Sequence, residues 1–181
     1  MRRPHHAALL VVAALSVVLL AGCGTTGVPS QAVIEPAPTP LRTVTATVNQ
    51  TRAALVAALG GQNLILTDSQ AAVRPAEAPL FAAAPRALYQ VTLPADPDKG
   101  FVLVYEFPDP ARAAAAAAEQ QAYLATGPGR VQTPQGTVTM IRQVGPTVIY
   151  YQWLPDAAKD PSAVGIQTAL ETLGVDFPVA N

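Results

Sequence analysis

The chain is 181 residues long, with half of its residues hydrophobic and 13% charged. Its two histidines, His5 and His6, and its one cysteine, Cys23, all lie near the N-terminus. The remainder therefore has no imidazole or thiol from which to build a Ser/His/Asp or Cys/His centre, a His or Cys metal site, a haem ligand or a disulfide, and no cofactor is expected. Arg2 and Arg3 account for two of the 11 basic residues, so nine stand against 12 acidic ones beyond them, a net charge of −3. The nine are scattered singly, which argues against nucleic acid as a partner.

Arg2 and Arg3 precede an apolar run from Ala7 to Ala21 broken only by Ser16, the charged-then-apolar order of a secretory signal. The run falls short of the roughly 20 residues that a membrane span requires. It closes on Leu20-Ala21-Gly22-Cys23, which resembles the lipobox of bacterial lipoproteins. That resemblance implies recognition of Leu20, Ala21 and Gly22 by a signal peptidase, cleavage before Cys23, and lipidation of the Cys23 thiol. The implied address is the extracytoplasmic face of the bacterial cell envelope, with the membrane as a partner through the acyl chains, which in pairs hold a protein lastingly. Pro4-His5-His6 departs from a twin-arginine signal, and Gly24 stands where some inner-membrane lipoproteins carry aspartate.

The organisation expected is a signal peptide over 1–22, a lipidated cysteine and linker over 23–40, and a single α+β domain over 41–181. The linker is rich in Gly, Pro, Ser and Thr and poor in bulky apolar side chains; extended, it would reach about 50 Å.

Thr47-Val48-Asn49-Gln50 has the spacing of a capping box and predicts a helix start. Val48, Leu55, Val56 and Leu59 continue it, and Gly60-Gly61 supplies a left-handed stop. The alternation of Thr43 to Val48 offers a short strand as a rival reading. Asn63 to Thr67 reads as a buried strand. Asp68 to Arg86 holds Pro75, Pro79 and Pro85 without a sustained period, and so reads as a long irregular excursion pinned by Leu80-Phe81, either functional or a cover over the sheet.

Ala87 to Leu93 and Phe101 to Phe107 read as a hairpin. Asp96, Asp98 and Gly100 in its connector suggest a calcium loop, but Phe101 and Phe107 stand where such a loop needs glycine and glutamate, so a plain turn is expected. Phe101, Leu103, Tyr105 and Phe107 share one strand face and Val102, Val104 and Glu106 the other, the pattern of a central strand covered on both sides. The aromatic face is suited to core packing or to the floor of a ligand site.

Asp109-Pro110 predicts a capped helix start and Gly127 its stop, with Ala113 to Ala118 giving a smooth surface for close packing. Thr137 to Val144 and Thr147 to Leu154 read as a second hairpin turning at Gly145-Pro146. Asp160-Pro161 repeats the helix start, with Ile166, Ala169, Leu170 and Leu173 on one face and Gly174 as the stop. The strand Val102 to Phe107 echoes Val148 to Trp153 in sequence, as a duplication or as two buried strands of like composition would.

The stretch Val104-Tyr105-Glu106-Phe107-Pro108-Asp109 running into an Ala-rich helix, the Val/Ile/Tyr strand and Leu170 to Gly174 are similar to features of a group of small uncharacterised bacterial lipoproteins. The resemblance implies a shared α+β fold and, since the group has no assigned activity, nothing catalytic. Members of the group often carry a histidine beside the last hairpin, where this chain has Gly145-Pro146-Thr147.

The expected fold is thus an antiparallel sheet of four or five strands with about three helices packed mainly on one face. The expected function is a membrane-anchored, non-enzymatic binding or envelope-interaction domain whose partner is another envelope protein, a glycan or a small apolar ligand. The alternative is a carboxylate-dependent hydrolase of envelope glycans using Glu106, Asp109 and Glu119. Against it, Asp109 suits a helix cap, Glu119 a solvated helix face, and Glu106 an ion pair with an arginine such as Arg142, and paired carboxylates would have to converge within about 5–9 Å.

Overall fold

The structure, a computed structural model, describes residues 45–180. The expected signal peptide, Leu20, Ala21, Gly22, Cys23 and the linker lie outside the described residues. Among the described residues no helix is long and apolar enough to cross a membrane.

Helix α1 spans Ala46–Gly60. Its N-cap is Thr45, whose hydroxyl accepts the Val48 N–H at 3.2 Å, so Thr47 and Gln50 lie inside the helix instead of framing its start. The rival strand reading yields to this helix from Ala46 onward. Its end also departs from expectation. Gly61 is right-handed, and the left-handed residue is Asn63 at φ 58°. Leu64 N–H bonds Leu59 C=O and Asn63 N–H bonds Gly60 C=O, the paired closure of a helix C-terminus that asparagine tolerates nearly as well as glycine.

Strand β1 is only Leu66–Asp68. The excursion then runs without regular structure to a single short helix, α2, Pro79–Ala83. Phe81 pins it, buried to 1% exposure, whereas Leu80 is 46% exposed; Pro79 starts the turn, and one turn buries only one of two adjacent side chains. Strands β2, Arg86–Val91, and β3, Phe101–Glu106, form the first hairpin, followed by helix α3, Pro110–Ala125. Asp109 caps α3 by accepting Arg112 N–H at 2.8 Å, as expected. A short helix α4, Gly127–Gln132, follows directly, and then strands β4, Val138–Val144, and β5, Thr147–Trp153. Helix α5 spans Ala163–Glu171, and a two-residue strand β6, Val175–Asp176, ends the series.

The strands make one antiparallel sheet of six in the order β1-β2-β3-β5-β4-β6. The α+β class and antiparallel sheet are as expected, with six strands where four or five were counted; β1 falls at the end of the expected Asn63 to Thr67 strand, and β6 is too short to show a period. Strand β6 exists through local geometry. Gly174 adopts φ 51° at a place where a Cβ would lie 1.9 Å from the Gln143 carbonyl oxygen, so only glycine lets the chain fold back onto β4. The Arg142 guanidinium, reaching from β4, donates to the carbonyls of Glu171, Leu173 and Gly174 at the end of α5 and pairs with Asp176 at 3.2 Å. A buried cation thereby satisfies the orphan carbonyls at the negative end of a helix.

The helices take both faces of the sheet, not mainly one. Val102, Val104, Ile149 and Tyr151 form one core with Leu55 and Leu59 of α1 and Ile166 and Leu170 of α5. Leu103, Tyr105, Val148 and Tyr150 form the other with Phe81 and with Ala113, Ala116 and Ala117 of α3. The cause lies in β3 and β5, which are apolar on both faces and must be covered twice. The pairing sets Val102 opposite Tyr151 and Tyr105 opposite Val148, so the echoed valines Val102 and Val148 face opposite ways, as do α3 and α5. Two copies related by rotation about the sheet normal would keep their helices on one face. The echo is therefore what two central strands of like β-propensity produce.

Candidate functional site

Among the described residues no group of three or more acidic, histidine or cysteine side chains is arranged to hold a metal. The three carboxylates considered for hydrolysis are not brought together. Glu106 faces the α1 side and accepts the Thr45 hydroxyl at 2.7 Å; Arg142 is engaged with α5 and Asp176 and is not its partner. Asp109 is a helix cap, and Glu119 lies on α3, across the sheet from the Glu106 carboxylate.

What the fold does build is a cleft of about 340 Å³ at the end of the sheet where β3 begins and β5 finishes. Phe101 and Leu103 of β3 and Tyr150 of β5 line it from the α3 face of the sheet, and Tyr151 and Trp153 of β5 line it from the other face, with Leu154 just beyond the strand. Val73, Arg74 and Pro75 of the excursion form one wall, and Asp96, Lys99 and Gly100 of the β2–β3 connector another. Ala157, Ala158 and Ala163, leading into α5, and Pro134 and Thr137, leading into β4, complete it. Apolar lining with a few polar groups is the usual make-up of a small-ligand site, and the volume sits near the lower end of the common range of about 300–1,000 Å³.

A neighbouring hollow of about 380 Å³ shares Pro134 and Thr137 with the cleft. Arg130, Thr133, Gln135, Gly136 and Thr139 supply much of its lining. It lacks aromatic lining, and the cleft is the better-built candidate.

Each wall of the cleft is held by buried polar groups. Gln120 lies at 0% exposure on the alanine stripe of α3. Its amide accepts Ala78 N–H at 2.6 Å and donates to Ala76 C=O at 2.7 Å, so the excursion just beyond the Val73–Pro75 wall is tied down at two backbone atoms. Between them Glu77 accepts the Tyr105 hydroxyl at 2.5 Å and pairs with Arg86. Burial raises the Tyr105 hydroxyl's pKa, and the neighbouring Glu77 carboxylate raises it further; the phenol stays protonated as a donor to Glu77. Phe81 and Tyr105 stack beside this pair with centroids 4.4 Å apart.

The opposite wall is a reciprocal clasp. Asp96 Oδ2 accepts the N–H groups of Lys159 and Asp160 at 2.6 and 2.8 Å, while Asp160 Oδ2 accepts Ala95 N–H at 2.9 Å and its Oδ1 accepts Ser162 N–H at 2.9 Å. The backbone donors of Ala95 and Ser162 hold the Asp160 carboxyl below its ordinary pKa. Asp96 thus serves as a cross-link between two connectors, and Asp160 gives its Oδ2 to the clasp while its Oδ1 caps the turn at Ser162 that leads into α5 at Ala163. This clasp joins residues about 65 positions apart, a distance at which sequence spacing carries no signal.

Two buried polar atoms beside the cleft, the Tyr150 hydroxyl and Trp153 Nε1, have no hydrogen-bond partner among the described residues. Gln120 lies near enough to Tyr150 to pull its pKa down slightly against the larger upward effect of burial, without reaching hydrogen-bond geometry.

The aromatic lining on β3 was legible beforehand in the alternation from Phe101 to Phe107. Gln120 left a weaker trace, as the one polar residue in a helical stripe with Ala113, Ala116, Ala117 and Leu124. Glu77 and Arg86 left none, and Asp160 was legible only as a helix start. No family model, curated protein or solved structure matches the chain.

Proposed function

We propose that the chain is a lipid-anchored, extracytoplasmic bacterial lipoprotein whose folded part is a non-enzymatic binding domain, and that the cleft beside Phe101 and Trp153 is its site for a small apolar ligand. The observation that carries the binding half is the cleft itself: apolar and aromatic side chains at the ends of two central strands, with walls fixed by Gln120 on one side and the Asp96–Asp160 clasp on the other. The anchoring half rests on the lipobox around Cys23. Thr45, where the described chain enters the fold, bonds Glu106 at the far end of β3 from Phe101.

The test uses N-phenyl-1-naphthylamine, an uncharged probe that brightens in apolar surroundings. Saturable one-to-one binding is expected, with transfer from Trp153, the single tryptophan of the chain. Ala157→Trp places bulk on an exposed lip of the cleft and should weaken binding about tenfold or more. Binding that is absent, or indifferent to that substitution, would contradict the proposal. Separately, Cys23→Ala should release the protein from the membrane fraction; unchanged membrane association would remove the anchor.

A further inference from the structure

The cleft carries charge as well as apolar surface, and its cations outnumber its anions. Arg74 and Lys99 stand on its two walls, both exposed, and neither meets a carboxylate within ion-pair distance among the described residues, although Arg52, Arg86 and Arg142 all do. The only acidic side chain in the lining, Asp96, is committed to the backbone N–H groups of Lys159 and Asp160. In a chain with more acidic than basic residues, this lip presents two cations beside aromatic side chains. An uncharged ligand would make no use of them.

We infer that the ligand is a single-chain anionic amphiphile, its aliphatic body lying on Phe101 and Leu103 and its carboxylate or phosphate head held between Arg74 and Lys99. This deepens the binding role proposed above and rests on it. The volume near 340 Å³, at the small end for ligand sites, favours one short chain over a two-chain lipid. The cations at the mouth match the geometry of an amphiphile, with the head left at the water boundary where both side chains already sit. Guanidinium suits a bidentate oxyanion and ammonium a point contact, so the pair accommodates either head chemistry.

The experiment is displacement of N-phenyl-1-naphthylamine from the purified protein at low ionic strength, with ligands of one chain length below their micelle concentrations. Decanoate and decyl phosphate separate the two head chemistries; decanol and decyltrimethylammonium are the uncharged and cationic controls. At least one anion should bind about tenfold tighter than decyltrimethylammonium, the effect of two exposed ion pairs, and the advantage should shrink with added salt. In Arg74→Gln/Lys99→Gln the advantage should vanish while decanol affinity stays within about twofold and the melting temperature is unchanged, since both side chains are exposed.

Equal affinity for all heads, or an anion preference that survives in the double variant, would overturn the inference while leaving the cleft as an apolar site. Failure of the naphthylamine probe itself to bind would remove both readings.

Discussion

At the end of the sheet where β3 finishes and β5 begins, polar groups meet one another. The Thr45 hydroxyl donates to Glu106, and the hydroxyls of Thr51 and Thr147 lie 2.7 Å apart. Thr147 gives its one proton to Val144 C=O, so Thr51 must be the donor between them. At the other end of the same two strands stand Phe101, Trp153 and Leu154, lining the cleft, with a buried Trp153 Nε1 that has no partner among the described residues. The strands are alike in composition and burial through their middles. The sheet is thus closed by polar contacts at one end and left with a cleft at the other, where several connectors converge, an arrangement that suits a scaffold carrying a site at one end.

That contrast can be broken most severely through Gln120. Gln120→Leu leaves Ala78 N–H and Ala76 C=O buried without partners, and should cost about 3 kcal/mol in denaturant unfolding. The Val73–Pro75 wall should loosen with it, so ligand affinity should fall in the same variant. Retained stability would mean that the excursion is held by Phe81 and Glu77 alone.

Thr51→Val cuts a hydrogen bond at the closed end, and should cost about 1 kcal/mol by the same measurement with naphthylamine affinity unchanged. A loss of binding there would show that the two ends are coupled.

The clasp responds to pH. The folded-state pKa of Asp160 is depressed, so its stabilisation is fully present above the ordinary carboxylate value and lost as pH falls through the lower folded value. The difference in melting temperature between the protein and Asp160→Asn should therefore be constant from neutrality to about pH 5 and shrink below about pH 4. A difference that grows on acidification would contradict the hydrogen-bond assignment.

The smallest effect is expected at Glu106. Glu106→Gln keeps an acceptor for Thr45 and should change stability by less than about 0.5 kcal/mol. It should also leave wild type and variant equally inert toward cell-wall glycans.

The long strands and helices were legible because their signals are local. Alternation marked β2 to β5, Asp109-Pro110 marked α3, and Gly174 marked the end of α5. Where the expectation slipped, a contact distant in sequence or a special backbone angle had decided the outcome. Asn63 took the left-handed position in place of Gly60-Gly61, and β6 depends on Gly174 and on Arg142 reaching from β4. The face each helix covers follows from strand order, which alternation in single strands does not encode. The site divides the same way. Its lining on β3 could be read from Phe101 and Leu103, but its walls come from residues 73–75, 96–100 and 154–158, brought together only by the fold.

The most direct test of the account is to map where a ligand lands. Amide chemical shifts followed during titration with decanoate should move at Gly100, Phe101, Trp153 and Ala157 and hold still at Thr51, Glu106 and Thr147. Shifts confined to the Thr51–Thr147 end, or spread evenly over the sheet, would contradict the assignment of the open end as the binding site.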